Sequence, residues 1–157
     1  MKEKILEAFR ELGFKLEEEE GMGYCFNYEG LNLLYMYNEN DEEFLNIALP
    51  GIVDVEEDKM LQICALLEKI NSTLKYIKAY MLGNSVWLFY ERELFGEEDL
   101  MTVISRMILH LEAGLSFARK AMAEIEETMT NGSSDDDTAE SAEEIATEEI
   151  SNDDGNE

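Results

Sequence analysis

The chain has 157 residues, a mass of 18.0 kDa and 45% hydrophobic side chains, enough for one compact domain and too little for two ordinary ones. With 12 basic against 37 acidic side chains it carries minus 25 at neutral pH. That balance excludes nucleic acid and anionic membranes as partners, since both are recognised through Lys and Arg.

All 12 bases precede Asn131, and residues 131–157 hold 11 acids and no base. A basic protein surface stays open as a partner, and the charge also favours solubility. Cys25 and Cys64 are too few for a disulfide framework and lack zinc-ligand spacing, so both read as buried reduced thiols. The N-terminus opens into a charged amphipathic pattern with no apolar signal core, and no run approaches the length of a membrane span. A cytoplasmic location is therefore expected.

In chain order, Ile5, Leu6, Phe9 and Leu12 recur at helical spacing over Lys2 to Leu12, and Gly13 stands where a left-handed cap belongs. Phe14 to Glu17 predicts a brief strand, followed by a charged turn over Glu17 to Glu20. Tyr24 to Tyr28, Leu31 to Tyr37 and Glu43 to Leu49 predict a three-stranded meander with a tight Glu29-Gly30 turn. Pro50-Gly51 is expected to end its last strand, because proline brings no amide hydrogen to the ladder.

Asp54 with Glu57 has the form of a capping box, and Met60, Ile63, Cys64, Leu67 and Ile70 predict the apolar face of a second helix ending near Asn71. Tyr76 to Leu82 and Ser85 to Arg92 predict a hairpin around Gly83-Asn84. From Glu97 to about Glu127 runs the longest helix, with Leu100, Ile104, Met107, Leu111, Leu115, Ala118, Met122 and Ile125 on one line. Its length exceeds the width of a small sheet, so one end is expected to project or meet a partner. Gly114 within it marks either close contact with a neighbour or a tolerated kink.

The expected fold is α+β, in the order α-β-β-β-β-α-β-β-α, with one domain over 1–130. Residues 131–157 are too poor in apolar side chains to order themselves, so a disordered acidic tail is expected. Within it, Ala139, Ala142, Ala146 and Ile150 have near-helical spacing over Thr138 to Ile150.

Catalytic signatures are missing. His110, the only histidine, has no nucleophile or carboxylate at a motif-like spacing, and no serine elbow, phosphate-binding glycine loop, zinc-protease motif or calcium loop occurs. The run Glu17 to Glu20 reads as solvated charge rather than a metal site. The expectation is a chain with no cofactor, no metal and no enzymatic activity.

Several strands are apolar on both faces. Leu34 and Met36 point away from Leu33 and Tyr35, and Trp87 and Phe89 oppose Val86, Leu88 and Tyr90. Antiparallel sheets usually alternate cleanly, so the second face is covered either by the protein's own helices or by another chain. Leu34, Met36, Trp87 and Phe89 are the candidate protein-binding residues, and the second helix is a candidate dimer seam. Most of the nine methionines are assigned to core filling.

The element order resembles that of the YbjN-like and class I type III secretion chaperone-like group. The resemblance covers about Met1 to Met129. It rests on the opening Glu7-Ala8-Phe9-Arg10-Glu11-Leu12-Gly13-Phe14, the aromatic meander closing at Leu49-Pro50, and the Ile70-Asn71 helix end before the Gly83-Asn84 hairpin. Members of the secretion branch are homodimers that hold a client polypeptide along apolar patches, and the resemblance implies the same here. The expected function is thus a homodimeric, chaperone-like or regulatory protein-binding module. The alternatives are a ligand-sensing or enzymatic domain with a pocket between sheet and helices, or an acidic protein in which the tail is the active part.

Overall fold

Residues 1–132 are described by a computed structural model. Helix α1 spans Lys2–Glu11 and buries Ile5, Leu6, Ala8 and Phe9. It ends as the sequence predicts, with Gly13 at φ 87°. The Gly13 amide donates to the Arg10 carbonyl at 2.9 Å and the Phe14 amide to the Phe9 carbonyl at 3.0 Å, while the rings of Phe9 and Phe14 meet at 6.1 Å. This paired closure satisfies carbonyls that a bare helix end leaves open.

Strands β1 (Glu17–Glu19), β2 (Gly23–Tyr28), β3 (Leu31–Met36), β4 (Phe44–Asp54), β5 (Ile77–Leu82) and β6 (Ser85–Glu93) form one antiparallel sheet in the order β1-β2-β3-β4-β6-β5. The predicted order of helices and strands is the observed one. Two local expectations are corrected. The acids Glu17 to Glu19 are themselves the first strand and pair with Cys25, Tyr24 and Gly23, rather than forming a turn. Nor does Pro50-Gly51 end β4, which continues to Asp54 through an irregularity: Leu49 faces Leu88, but the next matched pair is Val53 with Val86. The bulge accommodates a residue without an amide hydrogen, and Gly51 takes φ 64° there.

The capping box is also not formed, because Asp54 is held in β4 opposite Ser85. Glu57–Lys59 makes a single tight turn, and α2 follows over Met60–Thr73 with no side-chain cap. It buries Ile63, Leu66 and Ile70. Met60 and Cys64, expected inside, are exposed. The run Met60 to Leu67 is uncharged and apolar on most sides, so periodicity alone does not set which side turns inward.

The long helix α3 begins at Leu100 and runs to Gly132, later at both ends than expected. Its start is delayed because the carboxylate of Glu98 accepts from the Phe95 and Gly96 amides at 2.8 and 2.9 Å and from Arg92 at 3.3 Å. Those bonds, led by the one from Phe95, hold the Glu98 carboxyl below its ordinary pKa. Asp99 then caps the first turn through the Thr102 hydroxyl at 2.7 Å. Asn131 and Gly132 belong to the helix; the remainder of the expected acidic tail, with its Thr138 to Ile150 spacing, lies outside the described residues.

By length and composition α3 is apolar enough to cross a membrane, but Val103, Ile104, Met107, Ile108, Leu111 and Leu115 are buried in the domain. Gly114 is explained within the chain: a Cβ there would lie 3.3 Å from Leu88 Cδ1, so the glycine lets α3 settle onto β5 and β6. Buried positions stop at Ala121, and the last turns of α3 leave the core, beside α2, where Lys69 binds Glu124 at 2.6 Å.

Both edges of the sheet are closed to further strands. On β1 three exposed glutamates line the margin. On β5 the Asn71 side chain does the work of a neighbouring strand, accepting from the Ala79 amide at 2.8 Å and donating to the Ala79 carbonyl at 2.9 Å. Ala79 is buried, so Asn71→Ala leaves both groups unpaired. It is expected to lower stability by about 1–3 kcal/mol in urea denaturation, with Asn71→Asp losing less. A change below a few tenths would show that water replaces the amide freely.

Candidate functional site

All three helices pack on one face of the sheet. Their buried side chains join Leu33, Tyr35, Leu45, Ile47, Leu49, Ile77, Val86 and Leu88 in a single core. The opposite face has a separate cluster of Leu34, Ala48 and Phe89, with Cys25, Met36 and Trp87 packed at its margin. Every member is a strand residue, and among the described residues no helix side chain joins it.

Register produces this cluster. Cys25 faces Leu34, Leu34 faces Ala48, and Ala48 faces Phe89, so four strands contribute to one apolar row running across the sheet. Glu17 opposite Cys25 and Lys78 opposite Phe89 continue it at either end. The row is flat because Ala48 is small, and it is compact because aromatic rings lie along it. Tyr80 stacks on Phe89 with centroids 4.1 Å apart and planes at 2°, and Trp87 stacks on Phe89 at 6.0 Å. The Trp87 indole N–H donates to Ser85 Oγ at 3.0 Å.

The four residues singled out by alternation therefore lie on this face and divide in two. Leu34 and Phe89 are enclosed by their neighbours at 2% and 0% exposure, and Met36 and Trp87 are half-buried. The contact surface is supplied largely by residues the alternation did not single out. Tyr80, Leu82 and Phe44 are 41%, 40% and 43% exposed, which makes them the projecting apolar groups. Tyr80 and Leu82 alternate with Lys78 along β5, a signal legible in the sequence, but only pairing shows that they lie beside Phe89.

At the end of the face near Phe44 is a hollow of about 340 Å³ lined by Met22, Met36, Tyr37, Asp41, Phe44, Asn46 and Glu91, among others. Asn46 Nδ2 donates to Glu91 Oε1 at 2.9 Å, and Lys78 holds the other Glu91 oxygen at 2.5 Å. The Asn46 Oδ1 is buried without a hydrogen-bond partner.

Other polar groups are placed away from this face. His110 is exposed on α3, its Nδ1 lying 2.7 Å from the Arg106 carbonyl; a carbonyl only accepts, so the proton is assigned to Nδ1. Its ring meets Tyr76 and Tyr90 edge-on at 5.5 and 5.6 Å. A larger hollow, about 540 Å³, lies beside Phe14, Cys25 and Asn32. Burial, and then Glu19 and Glu17, push the Cys25 thiol up, opposite to the shift a nucleophilic thiolate needs. Cys25 is half-buried and Cys64 exposed, both free, which corrects the expectation that both are buried. Among the described residues no group of His, Cys, Asp and Glu is placed to hold a metal ion.

Fold and face together define an α+β protein with an open antiparallel sheet, three helices on one side and a bare apolar row on the other. The fold is YbjN-like. YbjN of E. coli, a candidate transcription regulator, matches with a TM-score of 0.56 at 13% identity over 74% of this chain and 86% of that one. An uncharacterized protein of Methanothermobacter thermautotrophicus matches with a TM-score of 0.50 at 18% identity over 81% and 97%. No family model and no curated protein matches the sequence. At such identities the likeness is one of fold.

Proposed function

We propose that this protein is a non-enzymatic, cytoplasmic protein-binding module, a chaperone-like or regulatory adaptor, which takes a partner polypeptide on its open sheet face. The observation that carries this reading is the row Cys25, Leu34, Ala48 and Phe89, fringed by exposed Tyr80, Leu82 and Phe44 on a face with no helix of its own. Contiguous apolar surface of this kind is a common mark of an interaction site. With β1 and β5 both blocked, the partner lies across the face rather than adding a strand at an edge. A regulatory role of the kind named for the E. coli neighbour would run through protein contacts, since minus 25 opposes phosphate.

The module is proposed to be a homodimer joined through the outer side of α2, where Leu61 is 69% and Met60 37% exposed beside Cys64 in an uncharged run. This leaves the sheet face free. Light scattering at micromolar concentration is expected to give twice the 18.0 kDa of one chain, and Leu61→Glu to return it to one. A strict monomer that also fails to bind an apolar dye would remove both parts of the reading.

A further inference from the structure

We propose that the hollow at the Phe44 end of the open face is an anchor for one basic side chain, arginine above all, carried by an otherwise apolar partner segment. This rests on the reading of the open face as a binding surface and names the chemistry of what it receives.

Three observations converge there. Its walls are apolar and adaptable: Met22, Met36 and Phe44 can flank the aliphatic stem of a long side chain, and the thioethers can move as it enters. Its polar groups accept rather than donate. Asn46 Oδ1 has no partner, Asp41 lies at the rim, and Glu91 shares its charge with a single base, Lys78. The field around it is one-signed as well. The adjoining loop from Asn38 to Glu43 carries Glu39, Asp41, Glu42 and Glu43, and Glu93 lies opposite Phe44. An orphaned buried acceptor among carboxylates calls for an incoming donor with positive charge.

Arginine fits better than lysine because its planar head fans out five N–H donors, enough to reach Asn46, Asp41 and Glu91 together. The other occupants carry the wrong charge. Residues 133–157 of this chain bear 11 acids and no base, and a second copy brings another minus 25. The cationic segment is the occupant that the charge of the face selects.

Trp87 is the only tryptophan and stands on the same face, so its emission reports occupancy. The probe is a twelve-residue synthetic peptide of alternating leucine and serine with one central arginine, compared with its glutamine and lysine versions. The arginine peptide is expected to bind about ten-fold more tightly than the glutamine one, with lysine between them. That preference should vanish in Asn46→Leu and fall in Asp41→Asn, a surface-loop change that leaves folding intact, while Glu68→Gln on α2 keeps it.

Equal binding of arginine and glutamine peptides, or equal loss of preference in Glu68→Gln, would overturn the anchor while leaving the open face standing. If none of the peptides alters Trp87 emission, the anchor and the open-face reading fall together.

Discussion

Phe89→Ala is expected to cost about 3–5 kcal/mol of folding stability, although Phe89 lies on the face that no helix covers. The reason is in its surroundings. Phe89 is 0% exposed because Tyr80 stacks over it, Trp87 lies alongside, and Ala48 and Leu34 continue the row beneath. Removing the ring takes the support from Tyr80 and opens a void in the middle of the row. Neighbouring side chains can sink in partly, which favours the lower end of the range. By contrast, Tyr80→Ala removes a ring already 41% exposed and should cost about 1 kcal/mol. Urea denaturation of both variants measures the difference. If Phe89→Ala cost no more than Tyr80→Ala, the row would be a loose surface cluster, and its claim to be a preformed docking surface would fail.

An effect of about 3 kcal/mol or more is also expected for Gly23→Ala, at the start of β2. Gly23 has φ 140° and faces Met36, and a Cβ there would strike the Tyr35 carbonyl oxygen, with the Tyr35 carbonyl carbon at 3.0 Å and Met36 Cα at 3.1 Å. All three are backbone atoms, so no side chain can turn aside. The strand must shift, carrying Met36 and the hollow with it. Gly21→Ala is the control: φ is 78° there but nothing lies within 4 Å, so only the left-handed backbone penalty of about 1–2 kcal/mol applies. Thermal and urea unfolding of the pair separates steric collision from backbone strain. Equal losses would show that β2 and β3 yield easily at this point.

Much of the fold was legible along the chain, for local reasons. The Gly13 closure of α1, the tight turns at Glu29-Gly30 and Gly83-Asn84, and the apolar line of α3 each follow from a few adjacent residues. The misread points are those where a distant partner overrode the local signal. Pro50 looks like a strand end, yet β6 holds β4 together on both sides of the bulge. Asp54 looks like a helix cap, yet Ser85 keeps it in the sheet, and Glu98 looks helical, yet its carboxylate is tied to the amides of Phe95 and Gly96. For α2, apolar residues around most of the helix left its inward side undetermined.

The site divides the same way. Alternation alone placed Leu34, Met36, Trp87 and Phe89 opposite the main core, because successive side chains of a strand must leave from opposite faces. Which strands lie beside one another, and therefore that Cys25, Ala48 and Tyr80 complete the row and that Asn46 meets Glu91 next to Phe44, depended on register across residues up to 45 positions apart. That all three helices settle on one face, leaving the other bare, was likewise a matter of tertiary packing. A one-dimensional pattern states that a side chain is apolar and which way it alternates; only the closed sheet decides what stands over it.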